Sequence, residues 1–151
     1  MSVHKIRLAG PWEWSAVDSS GESSELTEAQ TRSKRQTCQL PFQFVKDHGC
    51  LPISLVRRFH CPTGISEKTT ICVALEVSRP VIQVRLNGRL VSEDSQNAVD
   101  APGVPPETTI YFQRFDVSGA LKPFNELNVL LSPMKSGKMA ELISVNLEIR
   151  E

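Results

Sequence analysis

The stretch Thr70–Val91, TICVALEVSRPVIQVRLNGRLV, limits the possible folds more than any other part of this sequence. Ile71, Val73, Leu75 and Val77 alternate with Cys72, Ala74 and Glu76, the period-two pattern of a strand with one strongly apolar face. Arg79-Pro80 breaks the run, and Val84 and Leu86 then alternate with Gln83 and Arg85 as far as Asn87-Gly88. Asn-Gly between alternating apolar residues is a strong hairpin signal, because a type I′ turn needs φ > 0 at both central residues. Arg89, Leu90 and Val91 form the expected return arm.

The flanking sequence repeats this pattern in shorter pieces. Lys5–Ala9 alternates with Ile6 and Leu8 on one face, bends at Gly10-Pro11 and leads into Trp12-Glu13-Trp14. A Trp beside a strand usually fills a core; Trp12 reads that way, while Trp14 reads either as core or as a ring on which a sugar stacks. Asp18–Thr37 is polar and rich in Ser, Glu and Thr, an exposed loop with at most a helical turn at Leu26–Gln30. Pro41 confines Leu40–Phe42 to an edge or a bend. In the strand Ile53–His60, Leu55, Arg57 and Phe59 share one face and Val56, Arg58 and His60 the other. Neither face is clean, so one arginine of the pair is expected to reach from a partly buried position to a carboxylate.

Beyond the hairpin, Ser92–Thr108 holds three prolines and Gly103, and an irregular loop of that length is usually functional or disordered. Thr109–Phe115 is the next expected strand. Asp116–Leu121 reads as a helical turn capped by Asp116 or Ser118, ended by Pro123. Glu126–Ser132 and Leu142–Arg150 complete the set, the last with Ile143, Val145, Leu147 and Ile149 inward and Ser144, Asn146 and Glu148 outward. About eight short strands, long loops and almost no helix define a β-sandwich. Its core should contain Val73, Leu75, Val84, Leu86, Val129, Val145 and Leu147.

With 151 residues the chain suffices for a single domain, residues 1–151, with a real core. Its 17 basic and 17 acidic residues cancel, and the basic residues are scattered, which argues against nucleic acid as a partner. No run approaches the roughly 20 apolar residues of a membrane helix. The start, MSVHKIRLAGPWEW, lacks the apolar stretch of a signal peptide, so a cytoplasmic location is expected. Cys38, Cys50, Cys61 and Cys72 form no CxxC pair and read as buried thiols, not zinc ligands. His4, His48 and His60 join no recognisable metal or nucleophile motif.

Several phrases, taken in order, are similar to one family. IRLAGPWEW, LVRRFHCP, VRLNGRLV, FDVSGALKPFNELNVLL and SGKMAELISVNLEI resemble the N-terminal sugar-binding domain of glycoside hydrolase family 2, the β-galactosidase and β-glucuronidase family. The resemblance covers nearly the whole chain and implies an all-β jelly-roll sandwich of galactose-binding-domain type. Phe124 departs from it, standing where the family commonly has Gly, so that turn must be reshaped. The family carries its two catalytic carboxylates in a separate barrel, which has no counterpart here; the resemblance implies a non-catalytic module and no enzyme. It points to weak carbohydrate binding through loops at one end of the sandwich. Asp94 and Asn97 would supply polar groups and Tyr111 or Trp14 the ring. A protein-interaction or assembly module is the alternative. No cofactor is expected; a structural Ca²⁺ would need Glu93, Asp94 and Asp100 to converge.

Overall fold

The computed structural model describes residues 2–16, 36–44, 52–78, 81–93, 111–132 and 140–151, the side chains of 42–44 and 140–143 excepted. These residues form strands and turns without a helix. The strands are β1 (Val3–Arg7), β2 (Trp12–Ala16), β3 (Gln36–Cys38), β4 (Phe42–Phe44), β5 (Ile53–His60), β6 (Thr70–Val77), β7 (Val81–Leu86), β8 (Arg89–Val91), β9 (Tyr111–Asp116), β10 (Phe124–Leu131) and β11 (Ala140–Arg150).

They make two antiparallel sheets. One runs β1-β11-β6-β9, with β4 also paired to β11; the other runs β3-β2-β5-β10-β7-β8. Leu142 pairs with both Phe42 and Val77, so β4 shares with β1 the edge of β11 opposite β6. The inward residues of the two sheets form one apolar cluster, with Ile71, Val73, Leu75 and Val77 of β6 packed with the inner residues of β5, β7 and β10. All seven residues expected in the core are buried. At about 25 cal/mol per Å² of apolar surface removed from water, this interlayer contact dominates the stabilisation.

The β7–β8 hairpin turns at Asn87 (φ 54°) and Gly88 (φ 80°), as the Asn-Gly pair requires. Asn87 also ties the turn to a segment far away in sequence. Its Nδ2 donates to Ala120 O (3.1 Å) and to Asn125 Oδ1 (3.0 Å), and its Oδ1 accepts from Glu126 N (2.9 Å). Asn125 is fully buried. Its Oδ1 accepts from Lys122 N and its Nδ2 donates to Lys122 O, so its amide satisfies the backbone that leads into β10.

The segment expected to be a helical turn is a single turn at Ser118–Ala120. Asp116 Oδ1 accepts from both Ser118 N (2.9 Å) and Ser118 Oγ (2.7 Å), and Ser118 Oγ accepts from Ile71 N (2.8 Å). The two polar side chains thus serve the start of β6 and do not start a helix. Phe124 begins β10 with a negative φ; among the described non-glycine residues only Asn87 has a positive one. The strand takes over where the family's glycine turn would lie, leaving the ring 54% exposed, edge-on to His60 at 5.2 Å.

The tandem arginines divide their work differently from expectation. Half-buried Arg57 sends Nη1 to the Pro11 carbonyl (3.3 Å). It is the exposed Arg58 that reaches carboxylates, Glu126 at 3.2 Å and Glu13 at 3.3 Å. Arg57 shares the inward face of β5 with Leu55 and Phe59, so its head group can leave only along the rim, where a carbonyl is at hand.

Candidate functional site

Trp14, read as either core or sugar-stacking ring, lies in the core. It is 5% exposed and part of the core with Trp12. Residues two apart on a strand point the same way, so the WEW spacing places both indoles on the inward face of β2. Tyr111 is half-buried and packs against the core from β9. Asp94, Asn97 and Asp100 lie outside the described residues, as do Leu26–Gln30 and Cys50. Glu93, the first acid of the Pro-rich stretch, is described. It bridges to Phe115 of β9, and its Oε1 accepts from Gln113 Nε2 at 3.3 Å. Among the described residues no three His, Cys, Asp or Glu side chains group as metal ligands.

Glu93 and Gln113 stand in a cleft of about 190 Å³ between the open sides of the two sheets. β8 ends one sheet and β9 the other, so the chain crossing from Val91 to Glu93 spans the gap. Gln83, Ser92, Glu93 and Gln113 supply polar groups; Val81, Ile82, Leu90, Val91 and Phe115 supply an apolar wall. Gln113 Oε1 is buried and has no hydrogen-bond partner among the described residues. Ile82 is the extra residue where Leu130 and Leu131 pair with Gln83 and Val81. That bulge turns it outward, 52% exposed, beside Leu90 at 64%.

A second concavity, of about 200 Å³, lies on the outer face of the five-stranded sheet. The register sets Lys5, Glu148, Cys72 and Asp116 in one row, Arg7, Asn146, Ala74 and Arg114 in the next, and Ser144, Glu76 and Phe112 in a third. Ala74 contributes only a methyl group, so the row beside it is hollow. Glu148, expected to point into solvent, faces outward yet is 3% exposed. Arg114 Nε lies 2.9 Å from its Oε2, Arg150 Nη2 3.3 Å from Oε2 and Lys5 Nζ 3.5 Å from Oε1. Burial raises the Glu148 pKa, but Arg114 and Lys5 outweigh it and leave the carboxyl below its ordinary value. Ser144 Oγ donates to Glu76 Oε2 at 3.0 Å. The sequence held Lys5, Glu76, Ser144, Asn146 and Glu148 at outward strand positions; only the register, which it does not display, brings them together with Arg114.

Two layers of antiparallel strands, with no helix among the described residues, make this an all-β jelly-roll sandwich of galactose-binding-like type. Solved structures agree. A β-glucuronidase from Bifidobacterium dentium, in complex with coumarin-3-O-glucuronide, superposes on 98% of the chain with a TM-score of 0.64 and 14% identity. A β-glucuronidase from Bacteroides uniformis covers 98% with a TM-score of 0.63 and 16% identity, and a β-D-mannosidase from Dictyoglomus thermophilum covers 85% with 0.55 and 16%. The chain spans only 30%, 18% and 16% of those three proteins in turn. It therefore has the fold of one part of such enzymes, in line with the phrases it shares with glycoside hydrolase family 2. No protein-family model matches the sequence, and no curated protein does.

Proposed function

We propose that the chain is a non-catalytic, carbohydrate-binding-like module, and that the cleft between β8 and β9 is where it takes a sugar. The observation that carries this reading is Gln113. Its Oε1 is a buried acceptor without a donor among the described residues, and such a group costs about 1–3 kcal/mol until something donates to it. A sugar hydroxyl entering the cleft would donate to that oxygen once the Gln113 amide turned from its buried position toward the cleft, while a second hydroxyl reached Glu93. The apolar wall would receive the C–H face of the ring. The shared fold with enzymes whose names state sugar substrates supports the class of ligand.

The cleft is small beside ligand pockets of roughly 300–1,000 Å³, and among the described residues no exposed aromatic ring lines it. Binding should be weak, with Kd on the order of 1 mM or above. Titrating ¹⁵N-labelled protein with D-glucose and D-galactose should shift the amides of Ser92, Glu93 and Gln113 saturably, and Gln113→Ala or Glu93→Ala should abolish the effect. Asp94→Ala, next in sequence, should weaken it. Exposed Ile82 and Leu90 favour a second reading, in which this edge docks another protein. Absence of any sugar-induced shift at the cleft would sink the carbohydrate reading and favour the protein one.

A further inference from the structure

The hollow on the outer face of the five-stranded sheet offers a different ligand surface from the cleft, lying across the edge strand β9 and sharing only Gln113 with it. We infer that it is a second site, selective for an uncharged polyol such as a neutral hexose over its uronate.

Four features carry this. First, the hollow exists because of one residue: Ala74 on β6 presents a methyl where its row neighbours present Asn146 and Arg114. Second, the polar groups around it are already fixed. Arg114 and Lys5 are held on Glu148, and Glu76 is held by Ser144. Groups locked by their own partners lose little freedom when a ligand arrives. Third, the inventory suits hydroxyls: Glu76 accepts, Arg114 and Lys5 donate, and Asn146 and Ser144 do both. Phe112, half-buried at the margin, offers an apolar edge.

The fourth feature sets the selectivity. The ionised groups lining the hollow are Lys5, Arg114, Glu76 and Glu148, which cancel in pairs. Both cations are engaged by Glu148, which Arg150 also contacts from outside. An incoming carboxylate would have to compete with Glu148 for them and would lie close to both acids. Hydroxyls need no such exchange, because each carboxylate oxygen and amide keeps lone pairs or protons to share.

The test uses the same labelled protein and the same spectra, so the two sites are read separately. D-Glucose or D-galactose should shift the Ala74, Asn146 and Glu148 amides and the Arg114 side-chain Nε–H. D-Glucuronate should act there about tenfold more weakly. Ala74→Leu, which fills the hollow, should remove these shifts while leaving those at Ser92 and Glu93. Should that variant fold poorly, Asn146→Ala in the same role should weaken them. Glu93→Ala, at a residue that lines only the cleft, should spare them. Shifts confined to the β8–β9 cleft would overturn this site and leave the proposed function standing. Glucuronate binding at the hollow as tightly as glucose would overturn the selectivity.

Discussion

Glu148 shows how much a single side chain depends on its neighbours. It lies on the solvent side of its strand, yet cations from β1, β9 and β11 itself close over it. Its pKa is depressed in the fold, so the folded protein holds the ionised form more firmly than the unfolded chain does. That contribution is complete above the ordinary glutamate pKa of about 4.3 and is lost as pH falls through the lower folded value. Glu148→Gln should therefore cost on the order of 2 kcal/mol at pH 7. In urea melts the gap between wild type and variant should narrow steadily below about pH 4. A gap of equal size at pH 7 and pH 3 would mean that the carboxylate charge contributes nothing. Arg57 teaches the complementary lesson: its Nε is buried without a partner among the described residues, a cost accepted to place an arginine on an inward strand position.

At the level of the element, the β7–β8 hairpin joins two separate causes. Gly88 has open space where a Cβ would stand, so substituting it tests backbone conformation alone. Gly88→Val should destabilise by about 1–2 kcal/mol, the cost of a left-handed conformation for a β-branched residue. Asn87→Gly keeps the turn but deletes the amide links to Ala120, Asn125 and Glu126, and should cost a similar amount for a different reason. Thermal melts of both variants and of the pair would show additive losses if the causes are independent; an unchanged midpoint for Gly88→Val would contradict the turn. The turn itself was plain in the sequence, since φ > 0 is a local demand that Asn-Gly advertises. The strands of β6, β10 and β11 were legible for the same reason, with one side apolar at every second residue. What Asn87 does with its side chain was not legible, because its partners lie 33 to 39 residues away. The candidate site was read least well. Trp14 could have been assigned to the core from its spacing with Trp12. The Glu93–Gln113 contact and the ring of cations on Glu148 depend on how strands 20 to more than 100 residues apart are set side by side. β3 and β4, three residues each, are too short to display a period at all.

Across the whole molecule, the cysteines report on how the two layers hold together. Cys38 and Cys72 are buried and Cys61 is partly exposed, with no disulfide among them. Burial pushes the Cys38 thiol up to about 11, so little of the reactive thiolate is present near pH 8. In a Cys50→Ser background, a thiol reagent followed by mass spectrometry should label Cys61 quickly. Cys38 and Cys72 should react only as fast as the sandwich opens. Equal rates at Cys38 and Cys61 would show that the β2–β3 edge is open in solution. The order of strands has a further consequence, for the moment of synthesis. β11 joins β1, β4 and β6 into one sheet, yet it follows all three in the chain. A ribosome adding about 5–20 residues per second leaves β1 and β6 waiting for several seconds with the edges that will meet β11 bare. Until then the five-stranded layer cannot close, and the edge of β6 that will pair with β11 stays open. The nascent chain should therefore attract holdase chaperones during that interval, and release from them should coincide with the emergence of residues 140–150.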